Sequence, residues 1–445
     1  MYPSSGLQIA LNKMREMSVE SDTVYCKFVP TVTDSTTIGE FGLPILDPAN
    51  TAVLNEFIGL LKKVVYTAVY SKTFNNPLAM LEGERMPLGN FIEDVYINPA
   101  KSHLFDVNNF AALLTKYEAE MAVQYLPVNY DLQFAVTITR EKIRTAFSSW
   151  SNLEQLISSM VQSLYNGAYL SRYTATKSLL TGAFNGNNVQ YTTISDVTDE
   201  QSAKALIRQM RAAFSKFQVP STKYNAWEKV KGDRMSLQTW SNPEDIVVMI
   251  SADVEALVDV EVLAAALNSN ADKTNFLGRV IVVDDFNIYN QDGTLAVDGS
   301  NIKAAIMDKS WFKIKTQDFA MDEFYNSAVR SWNYYLNDVR SVNFSLFANC
   351  MVFATSAPTV AATDLDIETA SVTLKAGETV NVPFVITPAN ATSTVTVTSS
   401  ASTYATGSVS GRDIVVEGKA EGSATLTIAA NGHSDTISVT VQAAS

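Results

Sequence analysis

Histidine and cysteine are almost missing, with two of each in 445 residues. With only His103 and His433 to draw on, a Ser-His-Asp triad and a histidine zinc site are all but excluded. His433 falls in a turn between expected strands and His103 in an extended loop, where a surface histidine is the ordinary reading. Cys26 and Cys350 have no Cys or His neighbours at metal-ligand spacing, so two buried free thiols are the simpler reading, although spacing alone leaves a disulfide open. Long apolar runs are missing as well, and none approaches the roughly 20 residues that a membrane-crossing helix requires. Residues 1–15 lack the basic segment, apolar block and small-residue cleavage site of a secretory signal, so folding in a cytoplasm is expected. Neither a Gly-x4-Gly-Lys-Ser/Thr phosphate loop nor Gly-x-Gly-x-x-Gly occurs. Positive charge is in deficit: 33 Lys and Arg face 46 Asp and Glu, a net −13. That opposes binding nucleic acid by counterion release, while an acidic or neutral wall around DNA stays compatible.

What is present is a globular composition, 47% hydrophobic and 18% charged, in a chain long enough for two to four domains or sub-domains. Aromatic residues all but stop near 357–363, and beyond that only Phe384 and Tyr404 occur among Thr, Ser, Val, Ala and Gly. In this tail a period of two runs through Val380, Val382, Phe384 and Ile386, then Val395 and Val397, then Ala424, Leu426 and Ile428, then Ile437, Val439 and Val441. Turn residues separate these runs at Ala376-Gly377, Pro388-Ala389-Asn390, Ser410-Gly411, Glu421-Gly422 and Asn431-Gly432, which predicts a small all-β sandwich.

Before the break, Ser151-Asn152-Leu153-Glu154 fits a capping box, and Leu156, Ile157, Met160, Val161, Leu164, Tyr165, Ala168 and Tyr169 share one helical face. The spacing continues to Leu179 and Leu180 before Gly182, predicting a helix of spine length. A second helix is marked by Ala203, Leu206, Ile207, Met210, Phe214 and Phe217, with Thr198 and Gln201 placed for a capping box and Pro220 as its stop. Next comes a β-α-β pattern: strand 246–250, helix 253–267, strand 280–283. Between 86 and 138 the signal weakens to extended stretches at 91–97 and 133–138 around a polar segment, read as an extended loop or arm.

Few residues suggest chemistry. Val280 to Val283 followed by Asp284-Asp285 resembles a magnesium-binding strand end, but without a phosphate loop strand termination is the better reading. Asp253, Glu255, Asp259 and Glu261 spread around a helix, where dipole complementarity and solvation explain them more simply than acid-base work or a cation site. Asn343-Phe344-Ser345 and Asn390-Ala391-Thr392 match glycosylation acceptors, which mean little without secretion. Trp332, Tyr334 and Tyr335 suit core or interface packing better than a sugar platform.

The tail resembles a bacterial immunoglobulin-like domain of group 2 through Ser371-Val372-Thr373-Leu374-Lys375-Ala376-Gly377-Glu378-Thr379, Pro388, and Gly418-Lys419-Ala420-Glu421-Gly422-Ser423-Ala424-Thr425-Leu426-Thr427-Ile428. Roughly 70–355 resembles the major capsid proteins of phi 29-like podophages, in order along the chain. The resemblance rests on Asn76-Pro77-Leu78, Met86-Pro87-Leu88-Gly89 with Ile92-Glu93, Thr145-Ala146-Phe147 with Ser149-Trp150, and Ala252-Asp253-Val254-Glu255-Ala256. It continues through Phe276-Leu277-Gly278, Asp308-Lys309-Ser310-Trp311-Phe312, Trp332-Asn333-Tyr334-Tyr335 and Phe347-Ala348-Asn349. It implies an α+β Hong Kong 97-type capsid fold over 1–357 followed by an all-β immunoglobulin-like sandwich over 358–445. Within the shell domain it implies an N-terminal arm (1–85), an extended loop (86–138), a peripheral domain (139–198 and 309–357) built on a spine helix (151–180), and an axial domain (199–308).

On this reading the chain is a major head protein, with no enzymatic activity and no cofactor. It assembles with itself into hexamers and pentamers of an icosahedral or prolate shell around double-stranded DNA, without sequence specificity. A scaffolding protein and a portal are expected partners during assembly in the host bacterial cytoplasm, with the virion as final location and no membrane. Arg85, Phe91, Glu93, Asp94 and Tyr96 of the extended loop are the candidates for contact between subunits, because a long polar-aromatic arm is poorly stabilised alone. The sandwich is expected to face outward, toward a head fibre or the host surface. The competing readings are a cell-surface adhesin or phage tail or fibre component binding through the sandwich, and a capsid-associated hydrolase, which the missing histidines and phosphate loops disfavour.

Overall fold

The computed structural model describes residues 3, 5–68, 74–86, 89, 91–102, 116–232, 235–257 and 279–443. Helices come first, α1 (Ser5–Glu20), α2 (Tyr25–Phe28), α3 (Ile38–Leu46) and α4 (Thr51–Ala68). Three strands follow, β1 (Phe91–Ile97), β2 (Met121–Pro127) and β3 (Tyr130–Thr139), then α5 (Arg140–Ala146) and α6 (Trp150–Asn185). The chain continues through β4 (Gln190–Thr193), α7 (Glu200–Phe217), α8 (Trp227–Lys231), β5 (Ile246–Ser251), α9 (Ala252–Glu255) and β6 (Val280–Val283). Strands β7 (Ile288–Tyr289), β8 (Leu295–Val297), β9 (Ile302–Asp308), β10 (Phe312–Asn326), β11 (Ser331–Phe344) and β12 (Cys350–Ala354) complete the part before the composition break. The tail holds β13 (Asp364–Asp366), β14 (Ser371–Lys375), β15 (Thr379–Pro383), β16 (Val385–Thr387), β17 (Thr396–Ser399), β18 (Ala405–Ser410), β19 (Asp413–Gly418), β20 (Gly422–Ala430) and β21 (His433–Gln442). The chain divides into two compact units: Met1–Ile92, Pro127–Thr176 and Ile314–Val342, and Glu93–Leu126, Lys177–Lys313 and Asn343–Ser445.

The first unit is built on helices whose apolar residues recur every three or four positions. Leu7, Leu11 and Met14 of α1 and Val53, Leu54, Phe57, Ile58 and Leu61 of α4 share one core with Trp150, Leu153, Ile157, Met160 and Leu164 of α6 and with Trp332, Tyr334 and Leu336 of β11. Aromatic rings knit it together, Phe41 lying 5.3 Å from Trp150 and Phe57 5.5 Å from Phe147. Where the resemblance implies an N-terminal arm, four helices lie within 5–68, because an extended chain could not bury such a helical stripe. Helix α6 starts two residues earlier than its expected box: Asn152 N–H donates to Ser149 Oγ at 3.2 Å, making Ser149 the cap and leaving Ser151 inside. It also passes Gly182 and ends at Asn185, about 54 Å of helix at 1.5 Å per residue. Ala183 and Phe184 are still buried there, and the left-handed residue is Asn187, φ 53°.

The three-stranded sheet β10-β11-β3 carries a buried ionic cluster. On β11 the buried face runs Trp332, Tyr334, Leu336 and then turns ionic at Asp338 and Arg340, both 0% exposed. Arg172 of α6 grips Asp338 through two 2.7 Å hydrogen bonds, from Nε and Nη2. Glu82 Oε1 lies 2.8 Å from Arg340 Nη2 and Oε2 lies 3.7 Å from Arg172 Nη1, so two cations face two carboxylates. The Arg172 guanidinium lies 4.2 Å from the centre of the Phe319 ring. Burial pushes the Arg340 pKa below its ordinary value; burial is also the largest influence on Arg172 and opposes its charge, but the hydrogen bonds it donates to Asp338, together with the nearby charges of Asp338 and Glu82, outweigh burial and raise that pKa.

In the second unit a five-stranded sheet runs β4-β12-β9-β5-β6. Every residue of β5 is buried, and β5 pairs in parallel with β6, Val248 opposite Val280, as a β-α-β unit requires. Of the helix expected over 253–267 only α9 falls among the described residues, and Asp259 and Glu261 lie outside them. Helix α7 lays Ala203, Leu206, Ile207, Met210, Phe214 and Phe217 on this sheet. Its capping box is Asp199 with Ser202, not Thr198 with Gln201: Ser202 N–H donates to Asp199 Oδ1 at 2.7 Å and Asp199 N–H to Ser202 Oγ at 3.1 Å. Beyond β6, Asp284 and Asp285 serve as counter-ions to Lys177, buried on α6, at 2.8 and 3.3 Å. Both thiols are free, Cys350 buried and Cys26 half-buried.

The tail is a sandwich of β14-β21-β20-β17 and β15-β19-β18, with β13-β16 beside them. Strand β14 runs parallel to β21, Val372 opposite Val439, while β20 and β21 form a long antiparallel hairpin. Leu374, Val382, Phe384, Ile414, Val416, Leu426, Ile428, Ile437, Val439 and Val441 fill the core. Val380 is 37% exposed although the alternation placed it inside, and His433 opens β21 just past the turn where it was expected. The alternating runs do not mark β13, β14, β18 or β19, and in β18 the stretch Ala405-Thr406-Gly407-Ser408 carries little apolar signal.

Candidate intersubunit surface

Among the described residues of the 86–138 stretch there are three strands, not two, and β1 with β2 forms a two-stranded ribbon. The segment 103–115, which includes His103, lies outside the described residues. One face of the ribbon is tied down. Asp94 forms a 3.2 Å ion pair with Lys313 and accepts from Ser345 Oγ at 3.1 Å. The Tyr96 ring lies 5.8 Å from that of Phe347, tilted against it, its hydroxyl donates to the Gln238 carbonyl, and burial raises its pKa. The Asn98 amide donates to Ser236 O at 3.0 Å and accepts from Gln238 N–H at 3.0 Å. Gln124 brackets 344–346 in the same way, donating to Phe344 O and accepting from Leu346 N–H, both at 2.9 Å. Beneath them Ala122, Trp227, Leu237, Leu346 and Phe347 form a small apolar core.

The other face points to solvent. Phe91, Val95 and Ile97 of β1 are 61%, 49% and 57% exposed, and Met121 and Tyr125 of β2 are 58% and 62%. Five large apolar side chains on one ribbon face exceed the scattered exposure normal for a monomer. Of the five residues expected from sequence, Phe91 and Glu93 stand on this outward face. Asp94 and Tyr96 point the opposite way into contacts within the chain, because period-two alternation sends neighbours to opposite sides. Arg85 is exposed, but its Nε donates to Gln317 O at 3.1 Å and its guanidinium lies 3.6 Å from Asp318. Val95, Ile97, Met121 and Tyr125 were missed. The signal for Val95 and Ile97 is present in Phe91-x-Glu93-x-Val95-x-Ile97, but β1 carries apolar residues on both faces, so the pattern does not say which face is covered.

Among the described residues no three His, Cys, Asp or Glu side chains gather where a metal ion could be held, and no helix is long and apolar enough to cross a membrane. What the geometry offers is surface for association: a subunit with a spine-length helix, a ribbon with an apolar outward face and a C-terminal sandwich. That class is the Hong Kong 97-type phage capsid fold. The solved capsid of Staphylococcus phage Andhra matches with a TM-score of 0.51 at 15% identity, over 64% of this chain and 85% of that one, a likeness of fold. Residues 16–354 match the model of the Phi29-like phage major capsid protein and residues 361–441 that of the bacterial Ig-like domain, group 2. The chain belongs to the phi29-like phage major capsid protein family, and it is a component of the virion capsid that assembles with itself into the shell. It is 28% identical to the major capsid protein of Bacillus phage B103 over 83% of this chain and 77% of that one. With the major capsid protein of Bacillus phage PZA it shares 30% identity over 73% of this chain and 68% of that one. A match spanning 16–354, not the sandwich alone, weighs against the adhesin and tail-fibre alternatives.

Proposed function

We propose that the subunit forms hexamers and pentamers of an icosahedral or prolate head, and that the outward face of the β1-β2 ribbon lies over a neighbouring copy. The observation that carries this reading is the exposed apolar row Phe91, Val95, Ile97, Met121 and Tyr125 on a ribbon whose other face is bonded into its own subunit. A preformed apolar face needs little reorganisation to bind, so contacts that are individually modest add up when repeated around a ring. The proposed sub-domain division is an N-terminal arm and entry over 1–85, an extended loop over 86–138, a peripheral domain over 139–198 and 309–357, and an axial domain over 199–308. The subunit has no catalytic role. Double-stranded DNA is enclosed without sequence specificity, in keeping with the net charge of −13. Assembly takes place in the host cytoplasm with a scaffolding protein and a portal, and the sandwich faces outward toward a head fibre or the host.

The test is Val95→Asp with Tyr125→Asp. Electron microscopy is expected to show no closed shells, while circular dichroism of the subunit matches the parent chain. Normal shells from this variant would sink the ribbon assignment.

A further inference from the structure

The end of α6 is closed by a Schellman arrangement: Asn188 N–H donates to Ala183 O at 2.7 Å and Asn187 N–H to Phe184 O at 2.8 Å. Carbonyls at a helix C-terminus still need donors, and a partial negative charge collects there. At α6 one donor comes from the sandwich. Asn390 Nδ2 donates to the Gly186 carbonyl and, at 2.6 Å, to Asn188 Oδ1, while Asn187 Nδ2 returns a 2.7 Å bond to the Asn390 carbonyl.

The same pattern recurs at α8, which ends at the left-handed Gly232, φ 67°. Arg412 Nη2 lies 3.3 Å from Glu228 O, 3.4 Å from Lys229 O and 3.1 Å from Ala389 O, placing a cation on the negative end of that helix. The approach is close enough that a Cβ at Gly232 would meet Arg412 Nη1 at 2.6 Å and Ala389 Cβ at 3.2 Å. The linker is pinned on both sides. Thr355 N–H donates to Asn301 O at 2.8 Å, and Val360 and Thr392 exchange two 2.8 Å bonds. The five steps from 355 to 360 span at most about 18 Å of extended chain, so the sandwich is held beside its own subunit.

We propose that the C-terminal sandwich is a brace that caps two helix ends of its own subunit, with Asn390 completing α6 and Arg412 completing α8, and is not a tethered appendage. The docked loops, 388–392 and 411–412, lie at one end of the sandwich. The loops at its other end are 376–378, 400–404 and 419–421. This inference does not depend on the proposed ribbon contact.

Hydrogen exchange and limited proteolysis of the full-length protein test it. In Asn390→Ala with Arg412→Ala, the amides of Asn187, Asn188 and Gly232 are expected to exchange at least tenfold faster and the linker at 356–359 to be cleaved at least tenfold faster. The β20-β21 amides serve as the control and keep their protection. Arg412→Lys, which retains the cation and guards against misfolding of the double variant, is expected to fall between the two. Wild-type exchange and cleavage rates in the double variant would overturn the brace.

Discussion

The sandwich and the first unit fill their interiors by opposite means. No polar or charged side chain within 361–441 is fully buried among the described residues, and its core is aliphatic apart from Phe384. The first unit has a large apolar core too, yet it also shuts Arg172, Asp338 and Arg340 away from water against Glu82. An aliphatic core loses stability in steps that follow the volume removed. A buried ionic cluster instead fails when any member leaves, because the partner's charge stays behind without compensation. The difference teaches where each part tolerates change: the sandwich in the size of its side chains, the first unit in their polarity but not in their balance.

The largest expected effect breaks that balance. Asp338→Ala strips both hydrogen bonds from Arg172 and should cost about 3–5 kcal/mol in denaturant unfolding of the first unit. Replacing both partners, Arg172→Met with Asp338→Leu, should recover most of that loss, since no orphaned charge remains; if the double variant is no more stable than the single, the cluster is not a balanced one. On the other side of the comparison, Leu426→Ala in the sandwich should cost about 2–5 kcal/mol and be read as a lowered melting transition of the tail.

A smaller effect concerns a half-buried cation. Burial lowers the Lys229 pKa to about 8, where its ammonium lies 2.8 Å from Val189 O and 4.8 Å from the centre of the Tyr191 ring. The unfolded chain therefore holds a proton that the folded chain has released between pH 8 and the ordinary lysine value of 10.5, and stability should rise with pH across that window. Urea titrations at several pH values should show the rise in the parent chain and not in Lys229→Met. Smallest is the helix cap: Ser149→Ala should cost about 1 kcal/mol, whereas Ser151→Ala, inside α6, should stay near zero.

The misplaced caps show how sequence reading goes astray locally. Ser149 and Ser151 both precede the apolar stripe of α6, and Thr198 and Asp199 adjoin one another before α7. Residue type admits either, and the backbone's entry into the helix selects one. The ribbon was legible as extended chain but not as to which side lies open, because Ile92 and Tyr96 are as apolar as Phe91 and Val95.

The sequence by itself determined what repeats locally. Period-two alternation with turn residues specifies the sandwich, the 3.6-residue stripe specifies α6 and α7, and motifs in order along the chain specify the family. Tertiary structure alone decided what depends on residues distant in the chain: Glu82 beside Arg172, Asp338 and Arg340, Asp94 beside Lys313, and Asn390 on the end of α6. The physical reason is range. Periodicity reports which face of an element avoids water, whereas a buried charge or an unfilled helix end is satisfied by whichever side chain the fold brings within about 3 Å.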